Sequence, residues 1–240
     1  MKVIAINSSP RMDRGNTSVI LTPFLKGMQD SGAEVELFYT RKLDIKPCQS
    51  CFNCWMKTPG KCRQEDDMKM LVPKFAEADI WVIATPLYTD GMTGPMKNLM
   101  DRLIPLIIPE MEIIDGHCRH PLREGVKKGK LVLVSNCGFW ELDNFDALVT
   151  HLKALCKNFE RDFAGALLRP YGSILKYLET EGKTKTEIIE AAENAGRELV
   201  KEGKISENIL NTIAREVVTR EEYVENYNKM IEDILKRTKK

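Results

Sequence analysis

Four cysteines, Cys48, Cys51, Cys54 and Cys62, fall within fifteen residues, spaced C-x2-C-x2-C-x7-C. Thiolates separated by two residues on a loop can turn toward one centre. A fourth, arriving after the Pro59-Gly60 turn, can complete the corners of a 4Fe–4S cubane. Structural zinc more naturally takes two separated ligand pairs than an overlapping triplet. Disulfides, or four thiols that hold nothing, compete with both metal readings.

A second constellation lies in Ser8-Ser9-Pro10-Arg11-Met12-Asp13-Arg14-Gly15-Asn16-Thr17. Ser8, Ser9, Asn16 and Thr17 offer hydroxyl or amide donors, and Arg11 offers charge. A helix beginning there points free N–H groups and a positive dipole end at the same spot, a combination suited to phosphate. The pattern is neither G-x-G-x-x-G nor a Walker loop, which argues against a dinucleotide or nucleoside-triphosphate site. The bland alternative is a serine-rich turn whose side chains merely cap the helix.

Two further loops suit a flat apolar ring with polar edges. Pro86, Leu87 and Tyr88 supply surface for one face, amides near Asp90, Gly91 and Met92 can donate to ring oxygens, and Asn136 to Trp140 can close the other side. Gly91, Gly94 and Gly138 let backbone approach closely. Tyr88, Phe139 and Trp140 read equally as edge-packing aromatics.

These loops need a scaffold that gathers them. Nearly continuous apolar runs at 2–7, 35–39, 80–84, 131–135 and 163–169 read as buried parallel strands. Helices are predicted at about 17–31, from a cap at Asp66 or Asp67 to 78, around Met96–Leu103, and at 142–159, 184–202, 205–216 and 220–236. Residues 104–128, rich in Pro and Gly, read as irregular. Strand–helix alternation predicts an α/β sheet covered on both faces, with right-handed crossovers. Ligands then sit beyond the carboxyl ends of the strands. The loops after strands one, three and four gather at that edge. Residues 1–203 are expected to form one domain with a cysteine-rich insertion at 47–63, and 204–240 a helical extension with no independent core.

The net charge of +1 over 240 residues offers no excess to hold nucleic acid or an anionic membrane. No apolar run reaches membrane-spanning length, and the N-terminus enters a strand without a signal-peptide pattern. The expected compartment is a reducing cytoplasm, where clustered thiols bind metal or do redox chemistry.

Ser8-Ser9-Pro10-Arg11…Asn16-Thr17, Thr85-Pro86-Leu87-Tyr88…Gly91-Met92-Thr93-Gly94…Asp101-Arg102 and Asn136-Cys137-Gly138 resemble the NADPH-dependent FMN reductase branch of the flavodoxin-like proteins. With the cysteine run followed by Asp66-Asp67-Met68, the chain resembles an iron–sulfur flavoprotein of anaerobic prokaryotes over residues 1 to about 170. The resemblance implies a flavodoxin-like, doubly wound, five-stranded parallel sheet of order 2-1-3-4-5, FMN as cofactor, and a homodimer or homotetramer. It implies that Ser9, Arg11, Asn16 and Thr17 take the FMN phosphate. Pro86, Leu87, Tyr88, Asp90 and Met92 would line the isoalloxazine, and Asn136, Cys137 and Gly138 would meet its far edge. Cys48, Cys51, Cys54 and Cys62 would hold the cluster.

The expected activity is electron transfer from reduced nicotinamide or ferredoxin to a quinone, oxygen or peroxide, with no side chain as acid, base or nucleophile. Two readings compete with it: a cluster-free NAD(P)H-dependent FMN or quinone reductase, and a zinc-stapled non-enzymatic module. His117-Cys118-Arg119-His120 lacks a fourth ligand and reads as an ordinary loop. Cys137 and Cys156 read as packing residues, His151 as solvent-facing, and Met68, Met70, Met92, Met96 and Met100 as packing. The apolar stripe of the tail, from Ile209 and Ile213 through Val217 and Tyr223 to Ile234, can pack on its own domain or on a second subunit.

Overall fold

The computed structural model describes residues 1–178 and 183–238. Five strands form one parallel sheet: β1 (Lys2–Asn7), β2 (Glu34–Tyr39), β3 (Ile80–Pro86), β6 (Gly129–Asn136) and β7 (Arg161–Arg169), in the order β2-β1-β3-β6-β7. Counting these five alone, the order is the expected 2-1-3-4-5. The strands run longer than predicted, because β3 stays buried through Pro86 and β6 through Asn136. These two residues pair with each other in register, so the polar loops leave the sheet side by side.

Two apolar layers enclose the sheet. On one face, Val3, Ala5, Val82 and Val132 meet α1 (Asn16–Asp30) and α7 (Lys183–Glu202). On the other, Ile4, Ile6, Trp81 and Leu133 meet α3 (Met68–Glu77), α4 (Gly94–Asp101) and α5 (Asp146–Asn158). Alternate strand residues feed opposite layers, as the pleat requires. The two helices of the first layer touch backbone to backbone. A Cβ at Gly27 would lie 1.8 Å from the Glu193 carbonyl oxygen, and one at Gly196 2.1 Å from that of Phe24.

Residues 104–128 are not wholly irregular. β4 (Glu112–Ile114) and β5 (His117–Arg119) form an antiparallel hairpin around Asp115 and Gly116, both at positive φ. An Asp-Gly pair is the preferred centre of such a two-residue turn, and the Pro/Gly density of the surrounding segment obscured it. The short helices α2 (Asn53–Met56) and α6 (Ile174–Tyr177) lie in the connections. After α8 (Glu207–Ala214) the chain ends in α9 (Arg220–Thr238). Ile205 and Ile213 are buried in the first layer, whereas no described residue of α9 is buried. Among the described residues, no helix is long and apolar enough to cross a membrane.

Candidate functional site

The loop after β1 is built to leave a helix end open. Ser8 N–H donates to the Ala84 carbonyl at 2.8 Å, and Ser9 N–H to Asn7 Oδ1 at 2.8 Å, so the chain turns sharply off the sheet. Ser18 Oγ bonds back to the Met12 carbonyl at 2.8 Å and does not cap the helix. No side chain caps α1, and its first turn carries no acidic residue. The helix therefore keeps its positive end unneutralised. Ser9 and Thr17 are buried there, Asn16 is half-buried and Arg11 is exposed.

Asn136 is the hub of the edge. Its Oδ1 accepts a 2.6 Å hydrogen bond from Thr17 Oγ1. Its carbonyl accepts the Leu87 N–H at 2.8 Å. One residue at the end of β6 thus ties together the loops after β1, β3 and β6. The Thr17 hydroxyl is spent on this tie, so what it leaves for an anion is its main-chain N–H.

In the loop after β3, Tyr88 and Gly91 exchange both backbone hydrogen bonds, at 2.9 and 3.1 Å, around Thr89 and Asp90 at positive φ. Gly91 N–H is therefore closed within the turn. Those of Asp90 and Met92 have no partner among the described residues. Pro86 and Met92 are buried and Tyr88 is half exposed. Thr93 N–H donates to Thr85 Oγ1 at 3.1 Å, yet the buried Thr93 Oγ1 has no partner. It borders a cavity of about 300 Å³ lined also by Ser8, Pro10, Arg41 and Tyr88. In the loop after β6, Cys137 is buried, and burial pushes its thiol pKa up. It packs there, as its sequence setting suggests, with its sulfur against the Phe139 carbonyl.

The cysteine loop is held at its mouth. Arg102 Nη1 donates to the Lys46 carbonyl at 2.5 Å and to Asp66 at 2.7 Å, while Nη2 reaches Asp66 at 3.1 Å and Cys62 Sγ at 3.4 Å. Both partners of this ion pair are almost fully enclosed, with side chains 1% and 0% exposed. Burial alone would raise the Asp66 pKa. The Arg102 hydrogen bond, the Lys46 and Met68 amides and the guanidinium charge outweigh it and hold the carboxyl below its ordinary value. Asp67, the other predicted cap of α3, makes no cap and accepts the Asp44 N–H at 2.7 Å.

Within the loop, Ser50 and Phe52 adopt positive φ, an uncommon conformation for non-glycine residues. The Cys54 pKa is raised first by burial, then by the proximity of Cys62, Cys48 and Cys51. Cys54 therefore lies within electrostatic reach of the other three thiols. Among the described residues, however, no three ligating side chains close into a metal-binding group. The loop rests on the segments that flank the β4–β5 hairpin. Trp55 Nε1 donates to the Ile107 carbonyl at 3.0 Å, and its ring lies 4.7 Å from His120. Cys118 and His120, read from sequence as ordinary loop residues, border the same cavity of about 720 Å³ as Cys48 and Ser50.

Sequence reasoning missed the roles of Asn136 as a tie, Arg102 as a clamp and Thr93 as an orphan hydroxyl. All three stand in motifs noted above, but those motifs do not reveal the partners that give each residue its role.

The fold is that of the flavodoxin-like proteins. It matches an FMN-dependent NADH-azoreductase of Bacillus anthracis solved in complex with FMN, with a TM-score of 0.60 over 84% of this chain and 100% of that one at 16% identity. It also matches an NAD(P)H:quinone oxidoreductase from Methanothermobacter marburgensis, with a TM-score of 0.58 over 83% and 96% at 14% identity. Residues 1–118, just under half of the chain, match the model of the NADPH-dependent FMN reductases. An iron–sulfur flavoprotein of Archaeoglobus fulgidus is 38% identical over 102 residues, 42% of this chain and 48% of the relative. One of Methanocaldococcus jannaschii is 37% identical over 108 residues, 45% and 54% respectively. The chain spans about half the length of these curated relatives.

Proposed function

We propose that the chain is an FMN-dependent electron-transfer oxidoreductase whose Cys48, Cys51, Cys54 and Cys62 hold a 4Fe–4S cluster. The observation that carries the flavin half is the uncapped N-terminus of α1, set beside two donor-bearing loops that Asn136 ties to it. An anion is favoured at that helix end. In this reading Ser9, Asn16, the Thr17 amide and the exposed charge of Arg11 take the phosphate. Pro86, Leu87, Tyr88 and Met92 shield one face of the ring from water, and the free Asp90 and Met92 amides meet its polar edge. Asn136, Cys137 and Gly138 border the opposite edge.

The cluster half is supported by the C-x2-C-x2-C-x7-C spacing of four thiols on one loop and by the guanidinium that Arg102 sets against Cys62. A fixed positive charge lowers the cost of gathering thiolate sulfurs. When bound, FMN would accept electrons as a pair and release them singly, and a 4Fe–4S cluster would exchange them one at a time, which would let one protein join two-electron and one-electron couples. The chain's own part is to bind, orient and exclude water. Reduced nicotinamide or ferredoxin is the donor class, and a homodimer or homotetramer the assembly, that this reading carries.

Anaerobic purification with quantification of flavin, iron and sulfide tests both halves. Flavin with stoichiometric iron and sulfide supports the full reading. Flavin alone leaves a cluster-free NAD(P)H-dependent reductase. A colourless chain carrying zinc leaves a stapled binding module.

A further inference from the structure

The loop after β6 has an unusual set of backbone partners. Three successive carbonyls are taken. That of Cys137 accepts the Gly172 N–H at 3.0 Å, that of Gly138 accepts the Tyr223 hydroxyl, and that of Phe139 accepts the Tyr171 N–H at 2.7 Å. All peptide bonds here are trans. In a planar trans peptide the N–H of the next residue points opposite to the carbonyl. The N–H groups of Gly138, Phe139 and Trp140 thus each point away from the partner that holds the carbonyl of the same peptide. None of them has a partner among the described residues. A Cβ at Gly138 would meet nothing within 4 Å, so the space beside its Cα is open.

The middle peptide is fixed from an unexpected quarter. Tyr223 belongs to the first turn of α9, in the part of the chain beyond the family match. The segment leading to it is laced to the same corner. Arg169 Nη1 donates to the Ile213 and Arg215 carbonyls at 2.8 Å each. Val217 N–H donates to Tyr171 Oη at 2.8 Å, and Trp140 Nε1 to the Val218 carbonyl at 3.1 Å. Trp140 stacks parallel to Tyr171, and Tyr223 lies 5.3 Å from the same ring. Arg220 lies over Trp140 and pairs with Glu141 at 3.3 Å. Apolar burial does not hold the loop tip, because Phe139 remains 63% exposed. Directional hydrogen bonds set its posture.

We infer that residues 213–223 are part of the ring-binding site: Tyr223 fixes the Gly138–Phe139 peptide so that the amides of Gly138, Phe139 and Trp140 present a row of donors to the acceptor edge of a planar heteroaromatic ring. Tyr223 and Trp140 are positioning residues in this arrangement. The inference rests on the FMN reading above, and assigns the C-terminal extension a task in flavin binding rather than in folding alone.

The test compares the full chain with Tyr223→Phe, which removes the hydroxyl and keeps the ring. Tyr227→Phe is the control, since its ring lies beside Tyr223 and its hydroxyl holds no loop carbonyl among the described residues. Dissociation constants are measured by flavin fluorescence for FMN and for riboflavin, which lacks the phosphate, and inorganic phosphate is used as competitor. Losing one orienting hydrogen bond is expected to weaken FMN and riboflavin alike by about fivefold, with phosphate competition unchanged and Tyr227→Phe like the unaltered chain. Equal affinities in Tyr223→Phe and the unaltered chain would overturn the inference while leaving the FMN reading standing. So would a loss confined to phosphate, or one shared by Tyr227→Phe. Failure of the unaltered chain to bind FMN would overturn both.

Discussion

The three-loop edge and the cysteine loop solve the problem of positioning in different ways. At the edge, strand ends deliver the residues. Pro86 and Asn136 sit opposite each other in register, and one side chain completes the assembly with a 2.6 Å bond to Thr17. The cysteine loop has no strand to carry it. It is held at its mouth, by a buried guanidinium that grips Lys46, Asp66 and Cys62 at once. The first arrangement is set by the sheet before any ligand arrives. In the second, the clamp brings the ends together and touches the Cys62 sulfur alone, leaving the positions of the other three to the loop's interior.

This contrast predicts unequal sensitivities. Arg102→Met should give the largest effect, because it strands the Asp66 carboxylate in a site where its side chain is fully enclosed. Breaking one partner of a buried pair costs about 3–5 kcal/mol, measurable by urea unfolding of the metal-free chain. Adding Asp66→Leu should recover most of that loss. Asn136→Ala should cost less, about 1–3 kcal/mol for the Thr17 hydroxyl it orphans, but should weaken FMN binding where Arg102→Met leaves it nearly intact.

Acid sharpens the same division. Asp66 is held below its unfolded pKa of about 3.9. Its contribution is therefore complete above that value and is lost as pH falls through the lower, folded one. Urea midpoints of the unaltered chain and Asp66→Asn should differ at pH 7 and converge below about pH 4. The smallest expected effect on stability is that of Cys51→Ser. Cys51 is exposed, so the metal-free chain should change by less than about 0.5 kcal/mol. Iron content after anaerobic reconstitution should nevertheless fall, with FMN affinity unmoved.

The sheet was legible because β1, β3 and β6 are short apolar runs bounded by polar loops, and a parallel topology leaves few ways to wind them. Cys156 and Met96 were read correctly as core for the same reason: each lies on an apolar helical face. The turn at Tyr88–Gly91 was not legible. Its two central residues, Thr89 and Asp90, both take positive φ, so the Asp90-Gly91 pair is offset from the centre and Gly91 closes the turn where the sequence offers it as a free donor. Nor could periodicity reveal the contacts of Tyr223. Its hydroxyl meets a carbonyl eighty-five residues away, and only the folded topology brings them together. Arg102 was noticed as part of a motif, but its partners, Lys46, Cys62 and Asp66, are joined to it by tertiary structure alone.

A flavin at the open end of α1 is the claim on which the rest depends. Titration of the flavin-free chain with FMN, followed by fluorescence and then by gel filtration, addresses it directly. The expected result is saturable quenching, competition by inorganic phosphate, and co-elution of FMN with the chain. Free FMN eluting separately, with no quenching at any concentration, would contradict it, whatever metal the cysteines were found to carry.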